Sequence, residues 1–494
     1  QAQYDDIRLA YSLARGFTGR GTTIAVLDSG SDYWHGAAVS AIAGGAVAPN
    51  AVVESYQVTT NGPDFMSYAQ IGDIIAGATN ANVYNASWNA SMQATQIHSR
   101  TELIRQTDEN FINQVSIAAT GRDAIFVFAA GNDGNAQSGA LSAMPRVMNE
   151  LNGHFINVVA YDSAADQIAW YSNACGVTQN YCITAPGSDI DTGHEIVNGT
   201  SFAAPIVSAA VAVLREAYPY MTATQITSLL FETARDIGAP GIDPVYGHGM
   251  LDMERATRPV GAALVPIGDT MQPIRTARVA APIAHNIKSA GVKLAFFDAY
   301  GRPFQANLAD NIKSYNPGRG FDFLRAANRD KKMSFGPIEM GFSPKDFVIG
   351  DGMLKLKQDS AIGFIGTHGN LQRGKFNFHG ATRLSMLRPH TVDESMISDI
   401  TTVYIASAET SVQYNDFSFG VAIPDVIVRG DMQITTPIGR NRQGDILYTQ
   451  NSVSLTSRPA LEYTASYKYL TAGFVDNPYG TDEIFIVAKT RVKF

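Results

Sequence analysis

Hydrophobic positions in the first half of the chain come in short continuous runs rather than in alternation. Residues 22–27 (TTIAVL) form a β-rich apolar run ending at Asp28, and further short strands read near 51–57, 82–87 and 155–161. The strongest run is 124–130 (AIFVFAA). Such unbroken apolarity is what a parallel strand covered on both faces requires. A small-residue helical pattern runs from His35 to about Ala43, and Ala203 to Tyr218 reads as a buried helix. Strands separated by helices predict an α/β domain, a parallel sheet with helices on both faces.

The pattern changes near 258–275. Helical periodicity fades after LDMERA, and roughly 236 residues of short alternating stretches follow, broken by Gly, Asn, Asp and Pro. This predicts an all-β second part and divides the chain into 1–258 and 259–494, with no internal repeat at a clean period. Read back from the end, Phe494, Val492, Thr490, Ala488, Ile486 and Ile484 share one face, and Lys493, Arg491 and Lys489 the other. Apolar outward, charged inward and ending on an aromatic residue is the form of the last strand of an outer-membrane barrel. A soluble β-sandwich alternates too, and DKKMSFGPIEMGFSPKDF reads as too polar and Pro-broken for clean membrane strands. Both readings stay open.

Composition narrows the class. A chain of 494 residues has length for two to four domains, and 45% apolar against 17% charged residues is material for a core, not for disorder. The net charge of −8 argues against nucleic acid as a partner, because no basic field gathers phosphates. There is no run of 18 apolar residues and so no expected transmembrane helix, a test to which barrel strands are blind. Six residues separate the two cysteines, Cys175 and Cys182. They read either as two buried thiols or as a local disulfide closing a surface loop, which implies an oxidising compartment. No His or Cys cluster and no acidic run of calcium-loop spacing is seen, so neither metal nor cofactor is expected. A chain beginning QAQYDD without Met reads as a processed, exported product, or as a trimmed one.

Four segments carry candidate chemistry. Asp28 ends a strand in AVLDSG, and the carboxyl end of such strands is where α/β sheets build sites. His35 opens the helix of HGAAVSAIAGG, and Ser201 precedes the apolar helix of NGTSFAAPIVSAAVAVL, with Pro205 read in its first turn. A helix N-terminus favours developing negative charge. A serine hydroxyl needs a base to take its proton, and that base needs a carboxylate to hold its tautomer. Asn132 follows a buried strand in FVFAAGNDG and has an amide able to donate to an oxyanion. Singly, each is an ordinary turn or cap residue. Together and in this order they are not.

AVLDSG, HGxxVxxIAG, AAGN, NGTSFAAPIVSA and YGHGMLD resemble the subtilisin-like serine proteases over roughly residues 5 to 257. The resemblance implies peptide-bond hydrolysis through an acyl-enzyme, with Asp28 orienting the base, His35 as the base and Ser201 as nucleophile. Asn132 and the backbone N–H of Ser201 are then the oxyanion donors. It further implies that Ser87, Trp88 and Asn89 line a substrate strand and that Ala129, Ala130 and Gly131 form part of the primary specificity pocket. The partners implied are protein or peptide substrates. The paired cysteines in SNxCG…CxxAPG look like those of secreted bacterial subtilases, including autotransporter proteases, which commonly carry a C-terminal β-domain. Secretion, a periplasmic location or the cell surface follows, with outer-membrane association through residues 259–494.

Three departures stand out. Only six residues lie between Asp28 and His35, where the family has a longer segment. Seven steps of about 3.3 Å still reach about 23 Å, enough for a triad. Ala37 and Ala38 replace the Thr and second His of the family's HGTHVAG, and Asn89 stands where the family has Gly. The alternative is a structural or adhesive surface protein that keeps a degenerate protease fold.

Overall fold

The computed structural model describes residues 4–488, apart from 60–65, 91, 316–323, 326–330, 345, 348–349, 358–360 and 481. The chain divides into two units, Gln1–Arg258 with Arg442–Gly444, and Pro259–Asn441 with Asp445–Phe494.

In the first unit the apolar runs become strands β1 (Thr23–Asp28), β2 (Val52–Gln57), β3 (Val83–Ala86), β4 (Ile125–Ala129), β5 (Phe155–Asp162), β6 (Gln167–Ile168) and β7 (Cys182–Pro186). Their order is β2-β1-β3-β4-β5-β6, with β7 also paired to β5. Every pairing is parallel except the short antiparallel β5–β6 contact. Helices α1 (Trp34–Ala43), α2 (Tyr68–Gly77), α3 (Glu109–Ser116) and α4 (Thr200–Ala217) cover the sheet. Alternate sheet residues Ala25, Leu27, Tyr84, Phe126 and Phe128 join Ile71, Ile75, Phe111 and Ile112 of α2 and α3 in one core. On the opposite face, Asn85 accepts a hydrogen bond from Ser208 of α4. Helix α4 is long and apolar enough to cross a bilayer by composition, but it is the buried central helix of this layer.

The strand order reverses around β1, with β2 on one side and β3 on the other. That reversal is where open α/β sheets leave a crevice at the carboxyl ends of their strands. Asp28, Ser87–Asn89 and Ala129–Asn132 sit at or just beyond those ends of β1, β3 and β4.

Cys175 and Cys182 are joined in a disulfide around the 3₁₀ turn Gly176–Tyr181. Both cysteines are buried, so the bridge anchors the start of β7 inside the domain rather than decorating a surface loop.

The second unit is dominated by nine antiparallel strands: Lys331–Phe335, Ile338–Pro344, Ala361–Arg373, Phe376–Leu387, Val403–Tyr414, Phe417–Arg429, Leu461–Tyr467, Leu470–Asp476 and Glu483–Ala488. The unit is β-rich as expected, with one departure: Ala281–Ala290 is a helix with Pro282 in its first turn and Gly291 as a left-handed C-cap. The segment read as too polar or Pro-broken for clean membrane strands contains a hairpin turning at Gly336. The charged tail of the terminal-strand reading, Lys489, Thr490, Arg491, Val492, Lys493 and Phe494, lies outside the described residues, whereas Ile484 and Ile486 are exposed on the last described strand.

Candidate active site

Asp28 ends β1 with its carboxylate buried. Its Oδ1 accepts from the backbone N–H of Ser29 at 2.7 Å and lies 2.8 Å from Nδ1 of His35. An oxygen there requires a proton on Nδ1, which leaves the Nε2 lone pair free to accept. Asp28 Oδ2 is buried without a hydrogen-bond partner among the described residues.

The short connector reaches because it is folded against the first turn of α1. Gly36 donates its N–H to Ser29 Oγ at 3.0 Å, and a Cβ on Gly36 would lie 2.3 Å from the Gly30 carbonyl oxygen. The small residue is therefore a condition of the tight turn that seats His35. The imidazole lies between two aromatic rings, edge-on to Trp34 at 5.3 Å and tilted against Phe202 at 5.4 Å between centroids. Phe202 directly follows Ser201, so this contact brings the His35 and Ser201 segments together. Trp34 is largely exposed.

Ser201 is the second residue of α4, where a backbone N–H has no carbonyl four residues back. The expectation for Pro205 needs correction: it lies inside the helix, past the first turn. Lacking an N–H, it cannot bond the carbonyl of Ser201. Ser87 Oγ takes that role, donating to Ser201 O at 2.7 Å, while Ser201 Oγ donates to Ser87 O at 2.9 Å. Behind this reciprocal pair Asn85 Nδ2 donates to Ser87 Oγ at 2.8 Å, and Ser208 Oγ donates to Asn85 Oδ1 at 2.8 Å. Ser201 thus rests on a buried polar relay of Ser87, Asn85 and Ser208.

Asn132 is oriented by Thr200. The Thr200 backbone N–H and hydroxyl both donate to Asn132 Oδ1, at 2.9 and 2.8 Å, and the N–H of Gly131 donates to Thr200 Oγ1 at 3.3 Å. Two donors on one atom fix it as the oxygen. The Nδ2 side then faces Gly199, 3.5 Å from the position of a Cβ built there, and makes no protein hydrogen bond among the described residues. Tyr171 braces the same loop, donating to Gly187 O at 2.7 Å; burial raises its phenol above the usual range and keeps it a neutral donor.

The substrate-strand residues behave differently from one another. Ser87 is part of the relay, Trp88 donates Nε1–H to Leu27 O at 2.7 Å, and Asn89 reaches across to Ala129. Ala129 and Ala130 are buried, and Gly131 is half-buried. Among the described residues no group of three or more metal-ligating side chains is assembled. Asn85, Thr200 and Ser208 escape sequence reasoning because each reads as an unremarkable polar residue. The one signal was an Asn inside the otherwise apolar run of β3.

An α/β sheet with a carboxylate and an imidazole at its carboxyl edge, and a serine in the first turn of the helix that packs on that imidazole, is an arrangement suited to nucleophilic hydrolysis. Residues 28–249 match the model of the Subtilase family, and this part of the chain is a subtilase domain. Serotype-specific antigen 1 of Mannheimia haemolytica is 36% identical over 193 residues, covering 36% of this chain and 20% of that protein. The Neisserial autotransporter lipoprotein NalP of Neisseria meningitidis is 29% identical over 208 residues, covering 38% and 19%. An extracellular serine protease of Serratia marcescens is 32% identical over 172 residues, covering 28% and 16%. The chain therefore matches a fifth or less of the length of these relatives. Among solved structures, MycP1 from Mycobacterium smegmatis aligns at 21% identity with a TM-score of 0.41, covering 52% of this chain and 84% of that one.

Proposed function

We propose that this protein is an exported serine endopeptidase that hydrolyses peptide bonds of protein substrates through Asp28, His35 and Ser201. The observation that carries the reading is the 2.8 Å contact between His35 Nδ1 and Asp28, made by an imidazole whose ring lies against the residue following Ser201. Ser201 Oγ leaves the Ser87 carbonyl, gives its proton to His35 Nε2 and attacks the substrate carbonyl carbon. The oxygen becomes negative and accepts from Asn132 Nδ2 and the Ser201 N–H. The C–N bond breaks as His35 returns the proton to the leaving amine. Water, deprotonated by the same imidazole, then releases the acyl group. A fluorophosphonate should label Ser201 in the purified protein and fail to label Ser201→Ala. Absence of any adduct together with no turnover of a peptide library favours the degenerate, structural alternative.

Replacing Asn132 with alanine removes one oxyanion donor while leaving the triad residues in place. The expected result is a fall of about 10²–10³-fold in kcat with little change in KM, a size taken from another subtilase rather than derived for this chain. Steady-state kinetics on a peptide ester measures it, and an unchanged kcat excludes Asn132 from the oxyanion site.

The disulfide supports an oxidising compartment. The second unit supports an outer-membrane location. The register of its nine-stranded sheet puts Phe342, Ile365, Leu384, Phe419, Phe474 and Ile484 on one face, all exposed. The other face carries Lys332 paired with Glu339 and His379 paired with Glu409. Four of the strands have 12 or 13 residues, longer than the ~9–11 that a tilted membrane strand needs. An apolar face this broad does not persist in water. The full chain should float with phospholipid vesicles, and Leu384→Arg should weaken that partition by about 2–4 kcal/mol if the residue sits near mid-bilayer. A chain that stays monomeric without detergent and ignores vesicles removes the membrane part of the reading.

A further inference from the structure

We propose that Asn89 closes the primary specificity pocket and restricts cleavage to bonds that follow glycine or alanine. The inference rests on the endopeptidase reading and names its substrate class. Strands β3 and β4 are paired up to Ala86 and Phe128. Beyond that point the two segments separate, one bonded to Ser201 through Ser87 and the other tied to Thr200 through Asn132. The space between them is beside the nucleophile, where a substrate side chain next to the scissile carbonyl has to go.

Asn89 spans this space. Its Nδ2 donates to Ala129 O at 2.8 Å and to Ser142 Oγ at 3.3 Å, and its Oδ1 accepts from the N–H groups of Leu141 and Ala90, both at 2.9 Å. The amide is saturated by both walls and by the segment 139–142 beneath them. It also fills the depth: a Cβ built on Gly139 would lie 2.3 Å from Asn89 Cγ, so the amide rests directly on that glycine's backbone. Gly139 is itself fixed, donating to Ala130 O at 2.9 Å and bridging Gln93. No wall is left to retreat. A leucine or phenylalanine side chain gains entry only by expelling the amide, which strands the Ala129 carbonyl and the Leu141 N–H without partners. Glycine or alanine needs no such displacement.

The test is a series of peptide amides differing only at the residue before the scissile bond, read as kcat/KM on the full chain, with fluorophosphonate labelling of Ser201 in parallel. The native enzyme should favour alanine over phenylalanine and leucine by at least about tenfold, the discrimination that a pocket mismatch supplies. Asn89→Gly should raise phenylalanine and leucine turnover about tenfold or more relative to alanine, and Asn89→Ala, which keeps more of the backbone's rigidity, should move the same way by less. Labelling of Ser201 with native preference for phenylalanine or leucine overturns this proposal and leaves the endopeptidase reading intact. Absence of both labelling and hydrolysis of every peptide overturns the two together. The native series alone decides if neither variant folds.

Discussion

Replacing Ser201 with alanine should lower kcat about 10⁶-fold while leaving the fold and peptide binding in place. That magnitude belongs to another subtilase and not to a measurement on this chain. The reason for expecting nearly all of it here is local. Among the described residues Ser201 Oγ makes one hydrogen bond, to Ser87 O, so alanine leaves that carbonyl without this donor and removes a single oxygen atom. The Ser201 carbonyl still receives Ser87 Oγ, because that bond belongs to the backbone. Residual turnover of about 10³–10⁴ over water should survive from oxyanion donors and binding. Active-site titration and single-turnover kinetics check it. A variant retaining a tenth of native activity rules out Ser201 as the nucleophile.

Asp28→Asn should cost up to about 10⁴-fold in kcat. Oδ1 of Asp28 accepts two N–H donors, from Ser29 and from His35. An asparagine can keep its oxygen there, but its Nδ2 then occupies the buried corner of Oδ2, which has no hydrogen-bond partner among the described residues. A donor left unpaired in that corner costs about 1–3 kcal/mol. If the amide flips to relieve it, Nδ2 meets the Ser29 N–H and the imidazole, the proton moves to Nε2, and the base no longer accepts from serine. Either orientation also removes the negative charge that steadies the imidazolium. Kinetics at several pH values separates the two, since only the flipped form is rescued as rising pH favours other routes of serine ionisation. An Asp28→Asn enzyme with near-native kcat eliminates the carboxylate's role.

The first unit was legible because its pattern and its chemistry agree. Continuous apolar runs marked β1, β4 and β5, and Asp28 was readable as a strand end because the run stops there. The helix beginning at Trp34 was placed one residue late, within the fraying of any helix boundary. What the sequence hid were couplings across long separations. The Ser87–Ser201 exchange joins residues 114 apart, and it exists because Pro205 withholds an N–H, a fact that makes sense only once both segments are in place. Asn89 read as a substrate contact, since nothing in NASWN reveals that its amide turns toward Ala129 and Leu141. In the second unit the helix Ala281–Ala290 carried its proline and glycine punctuation, but its single apolar stripe was lost among neighbouring β-like stretches. The Lys331–Pro344 hairpin was masked in part by Lys332, which belongs to the polar face and pairs there with Glu339.

The brief connector between Asp28 and His35 also bears on when the enzyme acquires its activity during folding. Carboxylate and imidazole are seven residues apart, so their meeting closes a small loop with little entropic penalty. The serine contributes from a helix that begins at Thr200, after β1 through β7 have been synthesised. Contacts of such long range form late. On the proposed mechanism, a newly made chain therefore pairs its carboxylate and imidazole early and gains its nucleophile only when the helix Thr200–Ala217 docks.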